Sequence, residues 1–275
     1  MPLQITILSC NGILAMNNNN PIGIFDSGIG GVSIWKEIHQ LLPHEHTIYL
    51  ADSKHAPYGQ KSPEEILELS IKNTELLLEK KCKLIVVACN TATTNAIKHL
   101  RANYNIPFIG IEPAIKPAAL KSKTKTIGVL ATKGTLTSEL FHHTSGLYSD
   151  NITIIEQVGK GLVELIESGK INSREMDNLL NDYLSPMLEK NIDYLVLGCT
   201  HYPFLIDKLT KILPKNITVI DSGKAVATQV KTVLEQQQLL TKNKTHSKNI
   251  FYTNTNTTVL SDILDNSYLV SKLDF

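Results

Sequence analysis

Two similar stretches stand out in the pattern of apolar and polar residues along this chain. In each, a continuous apolar run, over residues 84–88 and 194–198, ends at a cysteine that small polar residues follow. Uninterrupted apolar runs of this length are typical of strands buried on both faces of a parallel sheet, and a helical pattern follows each run. Cys89 and Cys199 are therefore predicted at the carboxyl ends of strands, where open α/β sheets bind ligands.

The alternation of strands and helices continues along most of the chain. Further strands are predicted near residues 21–25, 47–52, 107–112, 126–131, 152–156 and 219–220, and helices near 32–42, 63–81 and 173–190. The Asp-Ser-Gly sequence at 221–223 repeats the one at 26–28. The second half of the chain therefore echoes the first, which predicts a duplicated α/β unit.

We predict an N-terminal extension over residues 1–20, a first α/β domain over 21–115 plus 226–275, and a second α/β domain over 116–225. Residues 3–16 are apolar, but they are too few to span a bilayer and no Lys or Arg precedes them. A translation start at Met16 and a signal peptide remain open alternatives.

Composition and charge exclude several classes of function. The chain has 275 residues, 42% of them hydrophobic, and a net charge of +1, which provides no general attraction to nucleic acid or anionic membranes. Its four cysteines show no paired spacing, so a disulfide framework is not expected and a reducing cytoplasm fits better. The histidines at 44, 46, 142 and 143 lack metal-ligand spacing, so we expect surface histidines and no metal site.

The position of the two cysteines suggests proton-transfer chemistry. Backbone N–H groups at the start of the next helix can lower a thiol pKa below about 8.5, toward the value that a catalytic base requires. Two such cysteines suggest two matched bases. The alternative is that both are small buried hydrophobic residues.

Four motifs in register, at residues 24–31, 56–59, 88–92 and 198–203, resemble the glutamate racemase family of the aspartate/glutamate racemase superfamily. The resemblance covers residues 21 to about 222. It implies two pseudo-symmetric α/β domains, each a mainly parallel sheet flanked by helices, with the active site between them. It also implies a cofactor-independent enzyme, with L- and D-glutamate as its small-molecule substrates, that supplies D-glutamate for peptidoglycan; a homodimer is a further expectation.

The resemblance also implies roles for individual residues. It matches the following to catalytic groups: Cys89, Cys199, Asp26, His201 and Glu167. It matches the following to substrate-binding positions: Asp26, Ser27, Tyr58, Gly59, Asn90, Thr91, Thr132, Thr135, Thr200 and His201.

One segment departs from the family pattern. Many relatives have a Cys-Pro ahead of the helix that carries the partner of His201, whereas this chain has Val-Gly-Lys-Gly at 158–161. Glu164 therefore remains an alternative to Glu167. On residue type alone, Asp26 could be a helix cap, His201 a loop histidine and Tyr58 a packed aromatic.

Inversion at Cα requires removal of a hydrogen from one face and its return to the opposite face, which two opposed thiols can perform. Three competing functions remain: a racemase of aspartate or another amino acid, a one-cysteine decarboxylase or isomerase, and a non-catalytic amino-acid-binding or thiol redox protein.

Overall fold

The computed structural model describes residues 17–244 and 247–275, which form strands and helices in regular alternation. The strands are β1 (Ile22–Asp26), β2 (Thr47–Ala51), β3 (Leu84–Val87), β4 (Phe108–Gly110), β5 (Thr126–Ala131), β6 (Thr153–Val158), β7 (Tyr194–Gly198), β8 (Thr218–Ile220), β9 (Asn249–Thr253) and β10 (Val270–Lys272). The α-helices are α1 (Val32–Leu41), α2 (Pro63–Glu79), α3 (Asn90–Asn103), α4 (Ile115–Lys121), α5 (Lys133–Leu136), α6 (Glu139–Gly146), α7 (Leu162–Glu167), α8 (Arg174–Glu189), α9 (Ile206–Ile212), α10 (Gly223–Gln236) and α11 (Thr258–Ile263).

These strands belong to two separate sheets in which every pairing is parallel. The first sheet has the order β10-β9-β2-β1-β3-β4, and the second has the order β6-β5-β7-β8. The predicted α/β fold, with two parallel sheets flanked by helices, is confirmed. The strands of the second sheet all lie between residues 126 and 220, whereas the domain limits remain a prediction.

Burial explains why the apolar runs form central strands. Every residue of β1, β2 and β3 is buried, and β1 lies between the other two. In β7, all residues except Tyr194 are buried. Because parallel strands in one sheet end at the same edge, β1 and β3 place the residues that follow them side by side. The same holds for β5 and β7, whose residues Ala131 and Gly198 are paired.

Local signals set the helix boundaries. Ser62 caps α2 by accepting a hydrogen bond from the backbone N–H of Glu65, and the Glu65 side chain accepts one from the backbone N–H of Ser62. This capping box, with Pro63 at the first helical position, confirms the predicted start of α2. Ser173 caps α8 in a similar way through the backbone N–H of Met176.

The C-terminal part of the chain contributes two strands to the first sheet. β9 pairs with β2, and β10, which the apolar pattern did not predict, adds the edge strand beyond β9. Near the other end, the backbone carbonyl of Asn18 accepts a hydrogen bond from the buried Lys83, which also pairs with Glu45 at 2.6 Å. Residues 1–16 of the predicted extension lie outside the described residues, and so does Cys10.

None of the described helices has the length and apolar character that crossing a membrane requires.

Candidate active site

Cys89 lies at the start of α3, just after β3. Its sulfur accepts a hydrogen bond from the backbone N–H of Ala92 at 3.4 Å and donates one to Ser27 Oγ at 3.5 Å. The helix therefore begins at this cysteine, as the sequence pattern predicts. Ser27 follows β1, which pairs with β3, and this pairing explains how two distant segments of the chain meet here.

The electrostatic effect on Cys89 is the reverse of the predicted one. Burial and the nearby carboxylate of Asp26 raise the pKa of the Cys89 thiol, although the hydrogen bonds from Ala92 and to Ser27 act in the opposite direction. The prediction of a lowered thiol pKa is therefore wrong for Cys89. The cost of removing a thiolate from water exceeds the effect of one helix terminus.

Cys199 follows β7 in the second sheet and lies beside a histidine. Its sulfur is 3.8 Å from His201 Nδ1, and both residues are buried. On the other side of the imidazole, His201 Nε2 lies 2.5 Å from Glu167 Oε1 at the end of α7. A carboxylate can only accept hydrogen bonds, so Nε2 donates in this pair.

The pair of Glu167 and His201 favours its charged form. Burial alone would lower the pKa of His201, but its hydrogen bonds to Cys199 and Glu167 and the negative charge of Glu167 raise it well above its usual value. Burial would raise the pKa of Glu167, yet His201 and the hydrogen bonds from Ile29 and Ser53 lower it. A cation is therefore held next to the sulfur of Cys199.

Glu164, the alternative partner, lies elsewhere. It is exposed, and its Oε1 accepts a hydrogen bond from the Gln60 side chain at 2.6 Å. Of the two candidates, Glu167 is the one that contacts His201.

The glycine-rich loop after β1 makes room for this pair. The backbone N–H of Ile29 donates to Glu167 Oε1 at 2.7 Å. A Cβ added to Gly28 would lie 1.9 Å from Glu167 Oε1, and one added to Gly30 would lie 2.2 Å from His201 Nδ1. The glycines therefore allow side chains from the second half of the chain to approach the backbone of the first half.

Asp26 ends β1 and is fully buried. Its Oδ2 accepts a hydrogen bond from the backbone N–H of Gly31 at 2.8 Å, and its Oδ1 accepts one from Thr200 Oγ1 at 3.3 Å. Burial raises the pKa of Asp26 to about 6, even though the charge of His201 and the hydrogen bond from Gly31 lower it. A carboxyl with this pKa can hold or release a proton near neutral pH.

Three threonine hydroxyls form a cluster between the two halves. Thr91 Oγ1 lies 2.8 Å from Thr132 Oγ1 and 3.2 Å from Thr135 Oγ1, and the last two oxygens are 3.1 Å apart. Thr91 belongs to α3, whereas Thr132 follows β5 as the N-cap of α5 and Thr135 lies within α5. The cluster presents several hydroxyl groups that can rotate to donate to an anion.

The hydroxyl of Tyr58 forms its hydrogen bonds with Asp52 and Asn73. The hydroxyl donates to Asp52 Oδ2 at 2.5 Å and accepts from Asn73 Nδ2 at 3.2 Å. Burial and the Asp52 carboxylate raise the pKa of Tyr58 well above its usual value. The phenol is therefore neutral and held in one orientation.

Both cysteines line one narrow cavity of about 10 Å³, roughly the space of a single water molecule. The buried Nδ2 of Asn90, which lines the same cavity, has no hydrogen-bond partner among the described residues. The cavity is lined by Ser27, Pro57, Tyr58, Gly59, Cys89, Asn90, Thr91, Thr132, Thr135, Val163, Gly198, Cys199, Thr200 and His201.

The predicted residues thus gather in one place, with two exceptions. Asp26 and Glu167 do not line the cavity but contact Thr200 and His201, which do. Sequence reasoning missed several participants: Asp52, Ser53, Pro57, Val163 and Gly198. The strand-end position of Asp52, after β2, is the one signal that could have identified it.

The four histidines that we predicted to lie at the surface are all at least partly accessible to solvent. His44, His142 and His143 are exposed, and His46 is half-buried. In the part of the chain that the structure describes, no cluster of three His, Cys, Asp or Glu side chains could hold a metal ion.

The chain is similar to known proteins in both sequence and fold. Residues 22–230 match the family described as Asp/Glu/Hydantoin racemase. A glutamate racemase of Herpetosiphon aurantiacus is 45% identical over 222 residues, which make up 81% of this chain and 87% of that protein.

Two solved structures are similar over almost the whole chain. A glutamate racemase of Bacillus anthracis has a TM-score of 0.84 at 29% identity, with coverage of 94% of this chain and 98% of that one. An Escherichia coli glutamate racemase in complex with L-glutamate and the activator UDP-MurNAc-ala has a TM-score of 0.83 at 33% identity, with coverage of 93% and 98%. The chain therefore belongs to the Asp/Glu/Hydantoin racemase family, which confirms the resemblance seen in its motifs.

Proposed function

We propose that this protein interconverts L- and D-glutamate by moving a proton at Cα through Cys89 and Cys199. The observation that carries the proposal is that both sulfurs line one cavity while each follows a central strand of a different sheet. The glutamate racemases that the chain resembles support glutamate as the substrate.

The reaction requires one base and one acid on opposite faces of the substrate. One thiolate removes the Cα proton and becomes a thiol, and the electron pair left on Cα is delocalised into the adjacent carboxylate. The other thiol then delivers its proton to the opposite face and becomes a thiolate. The reverse reaction exchanges the two roles. Because only protons are transferred, no external oxidant or reductant is needed.

The groups beside the sulfurs would assist these transfers in different ways. The protonated imidazole of His201 would stabilise negative charge on Cys199, and Glu167 would keep that imidazole protonated. On the other side, an ionised Asp26 raises the pKa of the Cys89 thiol. Protonation of Asp26 removes this effect, so a thiolate at Cys89 would form at a lower free-energy cost. One thiolate would thus be stabilised by the His201 cation, and the other by protonation of the Asp26 carboxylate.

Neutral donors would bind the two substrate carboxylates. Among the described residues, the cavity wall contains no Lys or Arg, and the two nitrogens of His201 face Cys199 and Glu167, so the donors available are hydroxyls, an amide and backbone N–H groups. The unpartnered Nδ2 of Asn90 and the Thr91 cluster are well placed to donate. Ser27, Gly59 and Thr200 complete this proposed set.

Substrate binding requires the cavity to widen, because about 10 Å³ cannot hold an amino acid. A second cavity of about 320 Å³ adjoins the first and shares Pro57, Gly59, Thr132 and Val163 with it. We propose that the substrate enters from this side.

We further propose that the enzyme acts in the cytoplasm as a homodimer and supplies D-glutamate for peptidoglycan. Light scattering on the purified protein would measure its subunit number.

The central test measures racemisation of L-glutamate, D-glutamate and L-aspartate by chiral chromatography in D₂O. Two-base transfer predicts that the product, but not the unreacted substrate, initially carries deuterium at Cα, because each face has its own base. Cys89→Ser and Cys199→Ser should each abolish racemisation. Full activity of Cys199→Ser would favour a one-cysteine enzyme. Faster turnover of aspartate than of glutamate would identify aspartate as the preferred substrate.

A further inference from the structure

The side chain of Asn254 connects the C-terminal part of the chain to the loop after β2. Asn254 directly follows β9 and is buried. Its Oδ1 accepts a hydrogen bond from the backbone N–H of Lys54 at 2.8 Å, and its Nδ2 donates to Asp52 Oδ1 at 2.6 Å and to the Phe275 carbonyl at 3.2 Å. One amide therefore holds the residues on both sides of Ser53.

Ser53 in turn contacts the pair beside Cys199. Its hydroxyl donates to Glu167 Oε2 at 2.7 Å, while the other oxygen of this carboxylate faces His201. The contacts thus run from Asn254 through the backbone around Ser53 to Glu167, then to His201 and the sulfur. Ser53 is half-buried, so water could compete for Glu167 if the loop moved.

The same loop also reaches the Cys89 side. Asp52 Oδ2 accepts the hydrogen bond from the Tyr58 hydroxyl, and its Oδ1 is shared by Asn254 and His55 Nδ1, which lies at 2.6 Å. Tyr58 lines the cavity with Cys89. Asp52 is 1% exposed, so its carboxylate depends on these donors.

The loop between Ala51 and Pro63 contains only two short 3₁₀ turns, so little regular hydrogen bonding holds it in place. Proton transfer is sensitive to shifts of about 1 Å in the reacting groups. We infer that Asn254 is a positioning residue for racemisation that acts on the Cys199 side through Ser53 and Glu167. This inference rests on the proposed function.

The first experiment compares Asn254→Ala and Asn254→Asp with Asn256→Ala. The Asp variant keeps the acceptor for Lys54 but places a second carboxylate beside Asp52. The control, Asn256, is exposed, and its Oδ1 bonds only locally, to the N–H and hydroxyl of Thr258. We expect both Asn254 variants to lower kcat by about tenfold or more with a smaller change in KM, and Asn256→Ala to leave both near wild type.

The second experiment tests the route with Ser53→Ala and the double variant of Ser53 and Asn254. If Asn254 acts through Ser53, the loss of kcat from Asn254→Ala should be smaller in the Ser53→Ala background than in the wild type. Ser53→Ala removes only a half-buried hydroxyl, so we expect this variant to fold. It therefore still tests the route if an Asn254 variant does not fold.

A third measurement does not depend on glutamate turnover. The ¹⁵N and ¹H signals of the His201 imidazole report directly on its bond to Glu167, and both Ser53→Ala and Asn254→Ala should shift them while Asn256→Ala should not. An inactive wild type with these shifts would overturn the proposed function alone. Unchanged His201 signals, or losses of kcat that simply multiply in the double variant, would overturn the role of Asn254.

Discussion

The imidazole of His201 packs against the backbone of Gly30 so closely that a Cβ on Gly30 would lie 2.2 Å from Nδ1. Gly30 belongs to the loop after β1 in the first sheet, whereas His201 follows β7 in the second. The backbone of the glycine-rich loop therefore packs against side chains of the opposite half of the chain. This contact brings the two halves together around the cysteines.

Gly30→Ala should displace His201 and separate it from Cys199. We expect kcat to fall by about 100-fold and the free energy of unfolding to fall by about 1–3 kcal/mol, because the new methyl group has no space. Steady-state kinetics and urea denaturation measure the two effects. Gly146→Ala is the matched control, since a Cβ there has no neighbour within 4 Å; equal activity of the two variants would refute the prediction.

Glu167→Gln should remove the charge that keeps His201 protonated. The pKa of His201 is raised by Glu167, so the variant should lose its imidazolium at a lower pH, and the alkaline limb of kcat should move to lower pH. We expect kcat to fall by about 10- to 100-fold, measured across pH 6 to about 10. Glu164→Gln is the control, because Glu164 is exposed and contacts Gln60 instead. A larger effect of Glu164→Gln would restore Glu164 as the functional acid.

The raised pKa of His201 also predicts a pH dependence of stability. A group whose pKa is higher in the folded state stabilises the fold fully below its unfolded pKa of about 6.5, and this contribution is lost as pH rises through the folded pKa. The wild type should therefore lose more stability than Glu167→Gln between neutral and alkaline pH. Urea denaturation across this range would show parallel curves if the prediction failed.

Asp26→Asn should raise stability while it lowers activity. The pKa of Asp26 is raised from 3.8 to about 6 by burial, so its ionisation destabilises the fold as pH rises through this interval. The shift corresponds to about 3 kcal/mol at neutral pH as an upper limit. Asparagine stays neutral and can still accept from Gly31 and meet Thr200.

We expect the stability gain of Asp26→Asn to be absent near pH 4 and present at pH 7, with a kcat reduced by about 100-fold. Denaturation at both pH values and the chiral assay test this pairing. A variant that is less stable than wild type at pH 7 would show that Asp26 serves mainly as a structural anion.

Thr91→Val should weaken substrate binding more than it slows turnover. It keeps the shape of the side chain but removes the hydroxyl that contacts both Thr132 and Thr135. Loss of a hydrogen bond to a charged carboxylate predicts a rise in KM of about tenfold. Thr137→Val is the control, because Thr137 is exposed and bonds only to the Lys133 carbonyl; a kcat effect without a KM effect would assign Thr91 to another role.

Local patterns were sufficient for much of the architecture. The apolar runs before Cys89 and Cys199 gave β3 and β7, and the serine, proline and glutamate pattern gave the start of α2. These features depend on neighbours within a few residues, so they can be recognised in one dimension. The edge strand β10 was not predicted because it has only three residues, none of them fully buried, so it carries little apolar signal.

The residue sequence was enough to establish a parallel α/β fold with two strand-end cysteines, and its motifs were enough to indicate a family and most of the site. It did not establish that Glu167 rather than Glu164 meets His201, or that Asn254 and Ser53 belong to the same network. It also led to the wrong sign for the pKa of Cys89. Such properties depend on burial and on contacts between segments far apart in the chain, so they arise only when the chain has folded.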